Sequence, residues 1–316
     1  MKSIEICAGA GGQALGLEEA GFEHVALVEI DKAACDTLRF NRPHWKVIQA
    51  DIHHFNGSIF KSKNIDLLAG GVPCPPFSDA GLKLGKQDER DLFCEALRLV
   101  EEINPKAVML ENVRGLFNKK FSAYRREIKM QLNQMGYLTD WRLINASDFG
   151  VPQLRPRTIL IAIKPPYFDY FEWPTKKITP QTVGQVLYED MAAEGWHFAN
   201  QWRELANGIA PTLVGGSKKH GGADLGPTRA KKQWATLYVD GKGVADAPPT
   251  NGYQGMPRLT VKMAAKIQGF PNSWVITGKK TPAYRQVGNA FPPPVARTIG
   301  EHIKRAIING EKRRKG

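Results

Sequence analysis

The sequence predicts an α/β fold: a doubly wound parallel sheet, joined to a smaller and irregular second domain. The first 164 residues alternate short β-type runs with helical patterns, and such interleaving favours a parallel sheet covered by helices. A glycine-rich turn follows the first predicted strand, as is typical of sheets that bind a ligand at their carboxyl edge. After Lys164 the composition shifts to glycine, proline and aromatic residues, which indicates a change of architecture.

The individual elements follow from the spacing of apolar residues, which differs between strands and helices. A further short strand is expected just before Asp51. The predicted strands are Ser3–Ile6, His24–Ile30, Ile65–Ala69, Ala107–Leu110, Trp141–Asn145 and Thr158–Ile163. The predicted helices are Gln13–Ala20, Lys32–Asn41, Asp91–Ile103, Phe121–Met135, Leu259–Ile267 and Pro294–Asn309.

The boundary between the two domains is expected at Pro165. Residues 1–164 together with 275–316 should form the α/β domain, because helical periodicity returns towards the C-terminus. Residues 165–274 should form the second domain. This region is expected to be folded rather than disordered, since its tryptophans require burial or a partner. They are Trp173, Trp196, Trp202 and Trp234.

The charge balance favours a polyanionic partner. Lys and Arg number 44 against 31 Asp and Glu, which gives a formal charge of +13. Nucleic acid is the first candidate for such a partner, and an anionic membrane surface is the second. Charge alone leaves a basic but otherwise ordinary enzyme equally open.

The four cysteines do not indicate a metal site or a disulfide framework. They are widely separated, and no Cys or His pair has the spacing of a zinc site. This usage fits a reducing cytosol. No apolar run is long enough to span a bilayer, so we expect a soluble intracellular protein without membrane contact.

The glycine-rich turn indicates a nucleoside site. Residues 4–6 run directly into Cys7-Ala8-Gly9-Ala10-Gly11-Gly12 and then into a helix, so the backbone can approach a ligand closely. Glu29 ends the next strand, where a carboxylate can bind ribose hydroxyls. Asp51 and Ile52 follow the third strand and are candidates for the adenine edge. A nicotinamide cofactor and S-adenosylmethionine both remain open at this point.

Four further motifs occur in a fixed order. They are Gly70-Gly71-Val72-Pro73-Cys74-Pro75-Pro76-Phe77-Ser78, Glu111-Asn112-Val113, Gln153-Leu154-Arg155-Pro156-Arg157 and Gln286-Val287-Gly288-Asn289-Ala290. Together with the glycine turn they resemble the ordered motifs of the DNA cytosine-C5 methyltransferases, and so does the segment from Arg258 to Pro271. The resemblance covers nearly the whole chain except about 165–257. It implies a Rossmann-like, S-adenosylmethionine-dependent methyltransferase domain and a smaller target-recognition domain.

The resemblance implies methylation of cytosine at carbon 5, and this reaction gives each motif a role. Carbon 5 of cytosine is a poor nucleophile, so a thiolate, here Cys74, must first add to carbon 6. Glu111, with Asn112 beside it, is placed to supply a proton near N3. Arg155 and Arg157 lie on one face of an extended segment, and a guanidinium can hold the cytosine O2. The target base must leave the duplex to be reached.

The resemblance implies S-adenosylmethionine as the cofactor and S-adenosylhomocysteine as the product. The motif at 286–290 would close the cofactor pocket from the far end of the chain. The cofactor-binding residues that the resemblance implies are Cys7, Ala8, Gly9, Ala10, Gly11, Gly12, Glu29, Ile30, Asp51, Ile52, Pro73, Leu92, Asn289 and Ala290.

Two basic, glycine-containing loops are the candidates for contact with DNA. Residues 78–87 resemble the mobile loop of the family, which follows the base out of the duplex, although a plain surface loop is the alternative. Residues 210–222 lie in the variable region and have donors for guanine edges or phosphates. The expected DNA-binding residues are Ser78, Lys83, Lys86, Ser217, Lys218, Lys219, Arg229 and Lys231.

Two positions depart from the family pattern, and single residues have simpler explanations. Pro75 replaces a common Gln, and Cys7 replaces an aromatic residue that usually packs against adenine. A lone cysteine is more often a packed thiol than a nucleophile, and we expect Cys35 and Cys94 to pack in helices. Glu111 could cap a turn, and the two arginines could form surface ion pairs. Only the ordered set of motifs outweighs these alternatives.

Three competing functions stay open. The family includes an RNA-directed branch, so tRNA is an alternative substrate to duplex DNA. A catalytically silent DNA-binding homologue and a nicotinamide-dependent oxidoreductase are the others. We expect a monomer, and a cognate restriction endonuclease acting on the same site without direct contact is compatible with the resemblance.

Overall fold

The computed structural model describes residues 1–73, 91–215 and 223–315. Within them a single seven-stranded sheet has the strand order β3-β2-β1-β4-β5-β7-β6. The strands are β1 (Lys2–Ile6), β2 (Glu23–Glu29), β3 (Val47–Gln49), β4 (Leu67–Gly71), β5 (Ala107–Val113), β6 (Leu138–Asn145) and β7 (Pro156–Ile163). Every predicted strand is present, with ends that differ by a few residues.

The sheet is parallel except for one strand. β1 to β5 pair in parallel with their neighbours, which confirms the doubly wound prediction for this part. β7 is antiparallel to both β5 and β6, so the prediction of a fully parallel sheet needs this correction. Residues 146–155, which include the short 3₁₀ helix Ala146–Asp148, are all that connect β6 to β7, whereas a parallel pair needs a long crossover connection. The reversed strand therefore begins at the edge where β5 ends.

Helices cover both faces of this sheet. α1 packs on α10 on one face, and apolar side chains of α3 and α4 belong to the core cluster of the other face. In β5 alternate residues contribute to the two clusters, as expected for a strand buried on both sides. The helices are α1 (Gly12–Glu19), α2 (Lys32–Asn41), α3 (Phe93–Ile103), α4 (Ser122–Gln134), α5 (Val183–Ala192), α6 (Ala199–Leu205), α7 (Thr228–Thr236), α8 (Val261–Ile267), α9 (Lys280–Asn289) and α10 (Pro293–Lys315).

The second region is folded around its tryptophans, as predicted. All four tryptophans are buried. Trp196, Trp202 and Trp234 share one apolar cluster, and Trp173 packs against the sheet and donates to Asp140. The short helices α5, α6 and α7 were not predicted. The apolar cluster that contains the first three tryptophans also contains Leu15 of α1. Residues 165–274 therefore share a core with the α/β domain.

The cysteines on the helices differ from each other. Cys35 is completely buried and packs as predicted, whereas Cys94 is exposed near the start of α3, so the packing predicted for it is wrong. Over the three described ranges, no helix has the length and apolar character needed to cross a membrane.

Candidate active site

A cavity of about 410 Å³ opens at the carboxyl ends of β1 to β5. The strand order reverses between β1 and β4, and ligands of doubly wound sheets bind at such a switch point. Its volume lies in the range of small-molecule sites. The predicted cofactor residues that line it are Cys7, Ala8, Gly9, Glu29, Ile30, Asp51, Ile52, Pro73, Leu92, Asn289 and Ala290.

The glycine turn is held open by Glu29. The backbone N–H of Gly9 donates to Oε2 of Glu29 over 2.7 Å, and the N–H of Asp31 donates to Oε1 over 2.8 Å. A Cβ built at Gly9 would have no heavy atom within 4 Å, so its backbone faces open space. The carboxylate at the end of β2 thus fixes the turn at the end of β1 beside the cavity.

Three predicted cofactor residues do not line this cavity: Ala10, Gly11 and Gly12. Their contact with a cofactor stays a prediction, and the structure gives a further reason for the glycines. A Cβ at Gly12 would lie 2.1 Å from the carbonyl oxygen of Phe291, and a Cβ at Gly11 would lie 2.6 Å from Leu38. These glycines allow close packing of the segment that begins α1, and Gly11 also has a left-handed φ of 82°.

Most of the charged side chains that line the cavity are acidic. Five carboxyl side chains line it, from Glu5, Glu29, Asp31, Asp51 and Glu111. Within the described lining, the groups that can oppose them are Arg285 and His53. Burial, and next the Glu29 carboxylate, raise the pKa of Glu5 well above its usual range. Such a cavity favours a cationic group of a ligand.

Two buried polar atoms at the cavity have no partner. Oε2 of Glu5 and Nε2 of Gln13 make no hydrogen bond within the part of the chain that the structure describes. Because an unpartnered buried polar atom is costly, this pair indicates a ligand with its own polar groups. Neither residue was predicted for the site. A signal for Glu5 existed, since it is a charged residue between two buried isoleucines of β1.

Cys7 lines the cavity with a thiol in an acidic, buried environment. Burial raises the pKa of its thiol strongly, and the Glu29, Glu5 and Asp51 carboxylates raise it further. The thiol therefore stays protonated, and protonated thiols are unreactive. Its backbone has φ of 52°, in the left-handed region, as part of the tight turn after β1.

Glu111 and Arg157 form an ion pair at the same edge of the sheet. Nε of Arg157 lies 2.7 Å from Oε1 of Glu111, and each side chain is only 11% exposed. The pair exists because β7 is antiparallel, which sets Arg157 opposite Val113 at the end of β5. Burial lowers the pKa of Arg157, and Glu111 opposes this effect. Two predicted catalytic side chains are thus in direct contact.

Asn112 holds the chain that leads to the predicted nucleophile. Its Nδ2 donates to the carbonyl oxygen of Val72 over 2.8 Å, and its Oδ1 accepts from the N–H of Val113. Pro73, the next residue, lines the cavity. Asn112 itself does not line the cavity, so its contacts are those of a positioning residue.

Arg155 does not line the cavity, and its predicted contact with a base stays a prediction. Its side chain is buried, and its two terminal nitrogens donate to the carbonyl oxygens of Leu213, Gly288 and Ala290 at 2.7, 2.7 and 3.0 Å. Three backbone carbonyls thus occupy its terminal nitrogens, while its buried Nε has no partner among the described residues. The motif of two arginines therefore divides into one residue at the site and one in the core.

Two of the remaining predicted site residues lie within the described part of the chain. Arg229 is exposed on α7, and Lys231 forms an ion pair of 2.7 Å with Asp224. Seven predicted residues lie outside the described residues: Cys74, Ser78, Lys83, Lys86, Ser217, Lys218 and Lys219.

Comparison with known proteins identifies the family. The family described as C-5 cytosine-specific DNA methylase matches residues 1–305. The chain is 53% identical over 320 residues to the type II methyltransferase M.NaeI of Lentzea aerocolonigenes, covering 99% of this chain and 77% of that one. It is 53% identical over 309 residues to the type II methyltransferase M.NgoMIV of Neisseria gonorrhoeae, covering 96% and 97% of the two chains.

A solved structure shows the same fold. A variant of Spodoptera frugiperda DNMT2 superimposes with a TM-score of 0.67 at 19% identity, over 97% of this chain and 99% of that one. At this identity the likeness concerns the fold alone. The family match over nearly the full length and the two relatives at 53% identity lead to one conclusion. This chain belongs to the C-5 cytosine-specific DNA methylase family.

Proposed function

We propose that this enzyme transfers a methyl group from S-adenosylmethionine to carbon 5 of a cytosine that is flipped out of a specific duplex sequence. The observation that carries the proposal is the buried Glu111–Arg157 pair, beside the cavity and next to the segment that leads to Cys74. A Cβ at Gly71 would lie 3.2 Å from Oε2 of Glu111, so this carboxyl group is adjacent to the end of β4.

The residues of the cavity fit S-adenosylmethionine. Its acidic lining suits a sulfonium cation, and the unpartnered Oε2 of Glu5 suits an ammonium group. Glu29 would hold the ribose hydroxyls, and Asp51 with Ile30 and Ile52 would hold the adenine. When bound, this cofactor supplies an electrophilic methyl group. The lining residues fit each part of this cofactor. The one departure is Cys7, whose side chain is smaller than the aromatic residue that the family usually has there.

In the proposed reaction Cys74 activates the ring. Its sulfur forms a bond to carbon 6 of the cytosine, and the π electrons of the C5–C6 double bond shift towards carbon 5 and the N3–O2 system. A proton between Glu111 and N3 neutralises the charge that develops there. After carbon 5 has been methylated, it loses its proton to a base. The electrons of that C–H bond then re-form the double bond and expel the Cys74 thiolate.

Arg157 would hold the base while the ring is activated. Its Nε is engaged by Glu111, and one terminal nitrogen donates to the carbonyl oxygen of Pro156 over 2.9 Å. We assign the remaining terminal nitrogen to the cytosine O2. A guanidinium fixed on two sides presents its third donor in one direction, which suits a planar carbonyl.

Duplex DNA is favoured over tRNA as the substrate. The relatives at 53% identity are named type II methyltransferases, and the family is described as DNA methylases. A silent homologue is disfavoured by the contact between Glu111 and Arg157, which a protein that only bound DNA would not need. A monomer in the bacterial cytoplasm, with or without a cognate restriction endonuclease, stays a prediction.

The test is methylation of a random duplex DNA library by the purified protein, read by bisulfite sequencing. The proposal predicts protection of one cytosine within one short sequence, dependent on S-adenosylmethionine. Cys74→Ala is expected to give no protection while retaining cofactor affinity, and Cys94→Ala is the matched control that keeps activity. Label transfer to tRNA without protection of DNA would replace the proposal by the RNA-directed alternative.

A further inference from the structure

Arg155 lies where three separate parts of the chain meet. It lies just before β7, its Nη1 donates to the carbonyl oxygen of Leu213 in the loop 210–222, and its Nη2 donates to those of Gly288 and Ala290 at the end of α9. Among these, Ala290 lines the cofactor cavity. One buried side chain therefore contacts both the chain entering the recognition loop and a wall of the cavity.

Two glutamines extend this contact. Gln153 accepts from the N–H of Leu213 over 2.8 Å and donates to Oε1 of Gln268 over 2.7 Å. Gln268 in turn donates to the carbonyl oxygen of Ala290. Both glutamines are completely buried, as is nearly all of Arg155. We name Gln153, Arg155 and Gln268 the Arg155 cluster. The hydrogen bonds of this buried cluster fix the segments that they join, although Nε of Arg155 has no partner among the described residues.

The backbone at the same place leaves no free space. A Cβ at Gly215 would lie 2.1 Å from Oδ1 of Asn289, and a Cβ at Gly288 would lie 2.4 Å from the nitrogen of Gly215. Asn289 also lines the cavity. The segment 213–215 thus contacts the cavity wall directly, and it is part of the predicted recognition loop 210–222. The segments 213–215 and 288–290 are packed against each other without a gap.

From these contacts we infer that the Arg155 cluster couples DNA binding to cofactor binding, with Arg155 as the positioning residue that transmits it. The inference rests on the proposed function, because it assumes DNA at the recognition loop and cofactor in the cavity. Binding at either place favours one position of the 213–215 and 288–290 segments. By thermodynamic linkage, each ligand then raises the binding affinity of the other by the same factor.

The experiment measures that factor directly. Calorimetry gives the Kd of S-adenosylhomocysteine with the free enzyme and with the enzyme saturated by a duplex containing the methylated sequence. We expect the duplex to tighten binding by about five-fold or more in the unchanged protein, within the usual range of such coupling. Arg155→Met removes the donors and keeps the length, and should reduce the factor to about one. Arg155→Lys should restore part of it.

Arg125→Met is the matched control. Arg125 also donates to backbone carbonyls, those of Leu116 and Asn118; among the described residues it has no hydrogen bond to the segment 213–215 and does not line the cavity. Its coupling factor should equal that of the unchanged protein. If Arg155→Met keeps the full factor, or weakens both ligands while the factor is unchanged, Arg155 is only structural and the inference is wrong.

A second variant decides the matter if Arg155→Met does not fold. Gly215→Ala leaves the cluster intact but introduces a methyl group at the contact with Asn289, so it should also reduce the coupling factor. An unchanged factor there would overturn the inference. Failure of the proposed function would appear differently, as an unchanged protein that methylates no duplex at all.

Discussion

Nε of Arg157 and Oε1 of Glu111 are 2.7 Å apart in a place where each side chain is almost completely buried. Taking either partner away leaves the other as a buried group without its counter-charge, which is far more costly than removing an exposed ion pair. The pair is therefore important for stability as well as for the proposed reaction, and the two effects can be separated.

Arg157→Met should abolish methyl transfer and lower the free energy of unfolding by about 3 kcal/mol, because Glu111 loses its partner. The double variant Glu111→Gln/Arg157→Met should regain a large part of this stability but no activity. Urea unfolding and transfer of a labelled methyl group measure the two quantities. A double variant that is less stable than Arg157→Met would contradict this account of the pair.

Asn112→Ala should reduce turnover without reducing cofactor affinity. The substitution removes the 2.8 Å hydrogen bond to Val72, so the segment before Cys74 loses its anchor. We expect kcat to fall about ten-fold or more, since small displacements of a reacting group are costly. The Kd of S-adenosylhomocysteine should stay within about two-fold. Asn133→Ala, at a partly exposed position on α4, is the control; a loss confined to cofactor affinity would argue against the role of Asn112.

Glu5→Gln should change how stability depends on pH. Burial raises the pKa of Glu5, so the folded protein keeps a proton that the unfolded chain loses as pH rises above the ordinary value of 4.5. The unfolded state then binds fewer protons, and this group makes the stability fall with rising pH up to its pKa in the folded protein. The free energy of unfolding of Glu5→Gln, taken relative to that of the unchanged protein, should therefore be higher at pH 8 than at pH 5. Urea unfolding at both values checks it, and parallel pH profiles would contradict it.

Alkylation should distinguish the cysteines. Burial and nearby carboxylates raise the pKa of Cys7, and burial raises the pKa of Cys35 to about 11, whereas Cys94 is exposed. Iodoacetamide at pH 8 should therefore label Cys94 and leave Cys7 and Cys35 largely unlabelled in the folded protein, because only thiolates react. Peptide mass spectrometry gives the extent at each site. Rapid labelling of Cys7 would show that the acidic cavity does not keep its thiol protonated.

Much of the fold could be predicted because strands and helices have different apolar periods. The direction of β7 could not, since alternation is the same in parallel and antiparallel strands. The short helices α5 to α7 were missed for a related reason: each has only two or three turns. Their stability comes largely from the shared tryptophan core and little from their own sequence.

The site shows the same division. Alternation placed Arg155 and Arg157 on one face, but Arg155 is held by Leu213 and Ala290, far away in the chain, and Arg157 pairs with Glu111. The glycine turn was correct in position, yet the packing of Gly12 against Phe291 and of Gly11 against Leu38 could not be read from the sequence. Glu29, Asp51 and Glu111 were predictable because each lies at or just past the carboxyl end of a strand, at the edge of the sheet that forms the cavity.

The shared core has a consequence for exchanging specificity between relatives. Trp202 and Trp234 of the variable region belong to the same apolar cluster as Leu15 and Leu27 of the α/β domain. A chimaera that takes residues 165–274 from another enzyme would therefore join two halves of one core, each shaped for a different partner. Successful grafts should need the facing side chains of α1 and β2 to be exchanged as well. The variable region of this fold can therefore be replaced only together with the part of the α/β domain that packs against it.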